Sequence, residues 1–240
     1  MTALRPATET SPQPGFVDGE LFCSAALLFD LDGTLVDTTG AVELSWQQAA
    51  RELDVPFDRL APYIHGIPAD QALKRAVPWL ADARRAELAE MILAAQASDD
   101  AAVDLMPGAS ALLGRIPAAR WAVVTSGDER LARASMRKAR LPIPLELVTV
   151  NDVEHGKPHP EPYLRGAERL KVSPPALCTA VEDSPAGIAS AHAAGMRAVA
   201  VTTTFAPEAL SNADWLVPDL RWLSATAVPD GLLVEIARPA

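Results

Sequence analysis

Five short apolar runs, separated by stretches of helical periodicity, constrain this chain more than any other feature. They are AALLFD (Ala25 to Asp30), WAVVTS (Trp121 to Ser126), LELVTV (Leu145 to Val150), CTAVEDS (Cys178 to Ser184) and RAVAVTTT (Arg197 to Thr204). Their apolar residues are mostly contiguous rather than alternating, the pattern of strands buried on both faces of a parallel sheet. Helical segments fall between the later runs, at Asp128 to Arg140, Glu161 to Lys171 and Pro185 to Ala194, with Gly195 as a C-terminal cap after the last. Strand and helix in alternation predict an α/β fold with a doubly wound parallel sheet.

The alternation is interrupted once. About seventy residues between the first run and Pro107 carry no strand pattern. Val42, Trp46, Ala49, Ala50 and Leu53 recur at helical spacing instead, as do Leu88, Met91, Ile92 and Ala95. The expected organisation is a loose N-terminal tail over 1–20, a core made of 21–38 and 107–240, and an inserted α-helical cap over 39–106. An insertion at the C-terminal end of the first strand stands beside the crevice where open α/β sheets bind ligands. It is placed to act as a lid.

The 240 residues, 49% of them hydrophobic, are enough for a real core. A net charge of -10 argues against nucleic acid or an anionic membrane as partner, since both reward clustered Lys and Arg. Cys23 and Cys178 lie far apart without metal-ligand spacing, so a reducing cytoplasm is the simplest home. The first twenty residues, with Pro6, Pro12 and Pro14, lack the apolar run of a signal peptide. No stretch approaches the ~20 apolar residues of a membrane span. A soluble cytoplasmic protein is expected, and a monomer satisfies the sequence.

In a parallel sheet the C-terminal strand ends converge on one edge. The polar residues at those ends are Asp30 and Asp32, Thr125 and Ser126, and Glu182 and Asp183. On an extended strand Asp30 and Asp32 would face the same side, roughly 6.6 Å apart. Asp-Gly after an apolar run is also an ordinary turn signal. Four acids at one edge would protonate or repel unless a cation joins them, and an oxygen-only ligand set points to Mg²⁺. Lys157, in HGKPHPEPYL, is the basic candidate; lone lysines are mostly exposed, but this site needs positive charge. An Asp carboxylate can serve as nucleophile in phosphoryl transfer, a role that falls to Asp30. Asp32 can then protonate the leaving alcohol and later deprotonate water.

Competing motifs fail by count. An EF-hand loop beginning at Asp30 would place Ala41 at its twelfth position, and one with Gly33 sixth would place Thr39 there, where Glu is required. No dinucleotide glycine fingerprint, P-loop or Gly-x-Ser-x-Gly elbow is present.

The segments DLDGTLVD, VVTSGD, GKPHPEPYL and VEDSPAGIASAHAAGM, in this order and spacing, resemble the four motifs of the haloacid dehalogenase-like hydrolase superfamily over roughly residues 24 to 204. The resemblance implies a Rossmann-like core in which Asp30 is the nucleophile and Asp32 the general acid and base. It implies that Thr125 binds the phosphoryl group, with Ser126 beside it, and that Lys157 steadies that group. Asp183, with Glu182, would hold Mg²⁺ alongside Asp30 and the Asp32 carbonyl. Asp at position 32 looks like the phosphatase branch rather than the dehalogenases.

Within that superfamily the chain is similar to sugar and polyol phosphatases, and YIHGIPADQAL looks like their cap loop, with His65 and Gly66 toward substrate. That branch often carries Arg or Lys where this chain has Ile67 and Pro68; Lys74 and Arg75 are expected to be solvent-exposed. The expected activity is Mg²⁺-dependent hydrolysis of a small phosphorylated metabolite. A phosphomutase resembling β-phosphoglucomutase is the nearest alternative, and a non-catalytic phospho-acceptor domain a more distant one.

Overall fold

The apolar runs become strands a little shorter than their sequence limits. The computed structural model describes residues 16–64, 67–98 and 101–239. Along the chain the strands are β1 (Glu20–Ser24), β2 (Ala26–Phe29), β3 (Val36–Asp37), β4 (Asp104–Leu105), β5 (Trp121–Val124), β6 (Glu146–Val148), β7 (Cys178–Glu182), β8 (Arg197–Val201), β9 (Trp215–Val217), β10 (Leu223–Val228) and β11 (Gly231–Ile236). The α-helices are α1 (Thr39–Glu52), α2 (Ala69–Ala76), α3 (Asp82–Ala97), α4 (Ala109–Leu113), α5 (Glu129–Lys138), α6 (Glu161–Arg169) and α7 (Pro185–Ala193). Strands pair in parallel in the order β6-β5-β2-β7-β8-β9, giving the doubly wound α/β sheet that the runs predict, with β9 added at one edge.

Side-chain alternation along β2 divides the core between the two faces of that sheet. Leu27 and Phe29, with Val123 and Val181, join residues of α4 and α5 such as Leu112 and Met136. Leu28, with Ala122, Val124 and Ala180, joins residues of α6 and α7 such as Tyr163 and Ile188. Burying Leu27, Leu28 and Phe29 almost completely is worth about 1.5–3 kcal/mol for each side chain. Helix starts are marked locally. Asp128 accepts the Leu131 N–H at 2.8 Å ahead of α5, and Ser184 accepts that of Gly187 at 3.1 Å ahead of α7. Beyond α7, Gly195 turns the chain at φ +80°.

Helices α1, α2 and α3 enclose a hydrophobic cluster of their own, with Trp46, Leu60, Leu73, Leu88 and Ile92 at its centre. The chain enters and leaves this unit side by side. Val36 pairs with Leu105 and Asp37 with Asp104 as the two-residue antiparallel ribbon of β3 and β4. That ribbon corrects the expectation of no strand between the first run and Pro107, because two residues are too few to leave a periodic signal. Lys138 at the end of α5 donates to the Ser98 carbonyl just past α3, joining the helical unit to the core.

A second departure is an antiparallel sheet in the order β1-β11-β10. Residues 17–20, expected at the end of a loose tail, are tied down. The Val17 N–H donates to Leu216 O at 3.1 Å, and the Gly19 N–H to Ile236 O at 2.8 Å. Their partners lie about two hundred residues away, beyond the reach of local pattern. Residues 1–15 lie outside the described residues. Among the described residues, no helix is long and apolar enough to cross a membrane.

One ion pair fixes α7 to the sheet edge and makes stability depend on pH. His192 Nε2 lies 3.0 Å from Asp214 Oδ2, which also accepts the Ala198 N–H at 2.8 Å. The hydrogen bond to Asp214 raises the His192 pKa above its ordinary value, against the opposing effect of burial. A raised histidine pKa stabilises the fold fully below the unfolded value near 6.5 and loses that contribution as pH rises through the folded value. Urea unfolding should therefore weaken by about 0.5 kcal/mol between pH 6 and 8, discounted for solvent screening. His192→Gln should flatten the slope by that amount and leave the part due to Asp183, whose folded pKa of about 7 also costs stability as pH rises; an unchanged slope would remove His192 as a source.

Candidate active site

Parallel register brings the ends of β2, β5 and β7 level, with Phe29 beside both Val123 and Val181. The residues that follow therefore meet at one edge. Asp30 and Asp32 lie just past the end of β2 rather than on it. Asp30 is held to β7 by its N–H bond to Val181 O at 2.9 Å. Leu31 O then accepts the N–H groups of Thr34, Leu35 and Val36, curling the chain into a tight turn. Gly33 completes the turn at φ +85°, where a Cβ would stand 2.1 Å from Asp183 Oδ2. Both the left-handed backbone and the close approach require glycine there. The Asp30-Leu31-Asp32-Gly33 segment is thus a turn signal and a pair of acids at once.

Lys157 is the centre of the charge pattern. Its side chain is 3% exposed, and Nζ donates to Asp30 Oδ1 at 2.6 Å, Glu182 Oε1 at 2.6 Å and Val124 O at 2.8 Å. An ammonium has three N–H bonds, and these three acceptors use them all. In this arrangement Lys157 orients Asp30, and contact with a phosphoryl oxygen would exchange one of these bonds.

Glu182 is likewise saturated. Oε1 also accepts the Tyr163 hydroxyl at 2.8 Å, while Oε2 accepts the Ser184 hydroxyl at 3.0 Å and the N–H groups of Asp183 and Ser184. Gly187 leaves room for it, since a Cβ there would fall 1.8 Å from Oε1. Tyr163 escapes sequence reasoning although it lies within the Lys157 motif; a tyrosine facing inward from the first turn of α6 was the available signal. Thr38 was missed too. Its hydroxyl donates to Asp32 Oδ1 at 2.8 Å and so orients that carboxyl group.

The cluster carries more negative charge than Lys157 offsets. Burial above all, then Glu182, Asp183 and Asp32, push the Asp30 carboxyl well above its ordinary pKa against the attraction of Lys157. Burial and Glu182 push Asp183 up to about 7, against a hydrogen bond from Thr204. Lys157, which burial would deprotonate, is held above its ordinary value by Asp30 and Glu182. These shifts describe one shared excess, four carboxylates around one ammonium. A divalent cation fits it. Ligand oxygens of Asp30, Glu182 and Asp183 lie within 4.8 Å of one another, and an all-oxygen set suits Mg²⁺. Because protein donors already fill Glu182, Asp30 and Asp183 are the better-placed ligands of the three.

Above this floor lies a cavity of about 280 Å³ between the sheet edge and the helical unit. Asp30, Asp32, Thr125, Ser126, Lys157 and Asp183 line one side; Trp46, Ile64, Ile67, Leu93 and Gln96 line the other. Thr125 is buried at the end of β5, and its hydroxyl accepts the Gly127 N–H at 3.0 Å. Gln96 is held by a 2.9 Å bond to the Ser45 hydroxyl. Among the described lining residues Lys157 is the one Lys or Arg side chain. Lys74 and Arg75 are exposed, as expected. His65 and Gly66 lie outside the described residues.

Comparison with known proteins follows the same lines. A family model described as haloacid dehalogenase-like hydrolase matches residues 25–195. Hexitol phosphatase A of Escherichia coli is 37% identical over 206 residues, covering 85% of this chain and 95% of that protein. The 2-deoxyglucose-6-phosphate phosphatase 1 of Saccharomyces cerevisiae is 30% identical over 239 residues, covering 91% and 97% respectively. A hydrolase structure from Pseudomonas syringae superposes with a TM-score of 0.70 over 82% of this chain and 94% of its own, at 23% identity, and shares the fold.

Proposed function

The chain belongs to the haloacid dehalogenase-like hydrolase family, and from that premise we propose that it hydrolyses a small sugar or polyol phosphate monoester through an aspartyl-phosphate on Asp30. One observation carries the reading. A buried Asp30, aimed by Lys157, lies at the floor of a cavity that the helical unit covers. The volume of about 280 Å³ is near the lower end of small-molecule sites, which run from about 300 to 1,000 Å³.

Asp30 attacks phosphorus in line with the ester oxygen. The P–O bond to the alcohol breaks as Asp32 delivers a proton to the departing oxygen. Asp32, now a carboxylate held by Thr38, removes a proton from the water that attacks the acyl phosphate, releasing orthophosphate and restoring Asp30. Thr125 and Ser126 receive phosphoryl oxygens at the end of β5. Mg²⁺, held by Asp30, Asp183 and the Asp32 carbonyl with Glu182 behind them, would neutralise phosphoryl oxygens and offset the carboxylates. The rest of the substrate meets Trp46, Ile64, Ile67 and Gln96, a mainly uncharged wall. That wall favours a neutral polyol or sugar body over a second phosphate, and with it hydrolysis over the mutase alternative.

Phosphate release across a panel of sugar, polyol and small-acid phosphates is the direct test. Hexitol and sugar monophosphates should lead and bisphosphates should trail. A glucose phosphate isomer in place of free phosphate would make the protein a mutase. Exhaustive EDTA should remove turnover and Mg²⁺ should restore it; full activity without metal would refute the proposed metal role. Asp32→Asn should lower kcat by about 10² to 10⁴-fold through lost proton transfer, less for esters whose leaving group needs no proton. Equal loss of kcat/KM, which reports the phosphoryl-transfer step and not the later hydrolysis, on p-nitrophenyl phosphate and a sugar phosphate would remove the acid role from Asp32.

A further inference from the structure

Outside the active cavity, the loop that carries Lys157 inward presents two imidazoles and a carboxylate outward. We propose that His155, His159 and Glu161 form a second metal site, for a divalent transition ion of the Zn²⁺ type, which staples this loop to the first turn of α6. Ligand atoms of the three residues lie within 4.8 Å of one another. His155 Nδ1 is 3.4 Å and His159 Nδ1 3.9 Å from Glu161 Oε2. Zinc bonds of about 2.0–2.1 Å in tetrahedral geometry place ligand atoms about 3.3 Å apart, so one contact already fits and the other needs a small closure. The two rings lie side by side, tilted by 34°, with centroids 4.6 Å apart.

The carboxylate is oriented before any ion arrives. Glu161 Oε1 accepts the Glu154 N–H at 2.9 Å and Oε2 the His155 N–H at 3.0 Å, and these bonds, that from Glu154 first, hold its pKa below the usual value. Supporting hydrogen bonds of this kind orient metal ligands. The loop backbone is anchored as well, because the buried Ser190 donates to His159 O at 2.6 Å and the His159 N–H to Gly156 O at 3.0 Å. His159 Nδ1 also receives a 3.3 Å bond from the Glu161 N–H, which a ring rotation would release. Side-chain exposures of 63% for His155 and 49% for His159 leave an ion a path in and a solvent-facing fourth position. Two imidazoles and one carboxylate select Zn²⁺ and its neighbours over Mg²⁺, unlike the all-oxygen cluster on the other side of the loop.

The test uses the full chain in Mg²⁺ buffer, titrated with Zn²⁺ alone. Imidazole nitrogen resonances of His155 and His159 should shift together and saturate at one equivalent, while those of His192 stay in place. Wild type should bind one more Zn²⁺ by calorimetry than the double variant His155→Ala/His159→Ala, which should keep Mg²⁺-dependent phosphatase turnover. At a hundredfold excess over Kd, Zn²⁺ should raise the wild-type Tm by roughly 5–10 °C relative to the double variant. Equal Zn²⁺ stoichiometry in the two proteins, or shifts shared alike by every histidine, would overturn the proposal.

Discussion

Asp30→Asn is expected to abolish phosphatase turnover, by about 10⁴-fold or more, while leaving the fold at least as stable as wild type in metal-free buffer. The two halves of this result have one cause. In the proposed mechanism the Asp30 carboxylate bonds phosphorus; among the described residues Glu182 is the other acid that Lys157 contacts, and protein donors already fill it. Burial first, and then the three neighbouring acids, push the Asp30 pKa up against the attraction of Lys157. A carboxylic acid whose folded pKa is raised destabilises the folded state as pH rises past its unfolded value, so at pH 7 the charge opposes folding. The amide is neutral and nearly isosteric, and its carbonyl oxygen can still accept from Lys157. Acid-quenched protein incubated with a phosphoryl donor should carry label in wild type and none in the variant. Wild-type turnover, or retained labelling, would move the nucleophile elsewhere; a large drop in metal-free Tm would show that Asp30 serves the fold.

Lys157→Met should damage both activity and stability. Its ammonium supplies three short hydrogen bonds and the positive charge among four carboxylates. Removing one partner of a buried ion pair costs about 3–5 kcal/mol because the other charge is left uncompensated. For a chain of this size that corresponds to a Tm lower by roughly 6–20 °C. Turnover should fall as well, since Asp30 loses both its orientation and its counter-charge. Adding Glu182→Gln removes one stranded acid and should recover part of the lost stability without recovering activity, a signature of charge imbalance rather than lost packing. If Lys157→Met unfolds no earlier than wild type, the ammonium contributes nothing net and the charge argument fails.

What could be read from sequence followed how local its cause was. The five parallel strands were legible because contiguous apolar residues report burial on both faces, and the chemistry because polar residues follow those runs directly. Trp215–Val217 was missed because three residues between Asp214 and Pro218 are too short to register. The β10 and β11 hairpin did carry a signal, a two-residue Pro229-Asp230 connection leading into alternately buried Leu232, Val234 and Ile236. Its pairing with β1 did not, since no local rule joins the two ends of a chain. Asp30 and Asp32 were found as residues but misplaced in geometry, because the strand period was carried past a turn that Gly33 and the Leu31 carbonyl impose. Tyr163 and Thr38 act on other side chains rather than on substrate, and that kind of role appears only once contacts are known.

The paired entry and exit of the helical unit alter what an insertion means for this protein. Strand neighbours in an antiparallel pair lie about 4.5–5.5 Å apart between Cα atoms. Seen from the sheet, everything between Asp37 and Asp104 is therefore equivalent to a hairpin turn whose ends already meet. The entropy of closing so long an excursion grows only slowly with its length, and the ribbon confines it to one place. Core register is thereby decoupled from the content of the excursion. Selection can remodel the wall that meets the substrate, helix by helix, without disturbing the turn that aims Asp30 and Asp32.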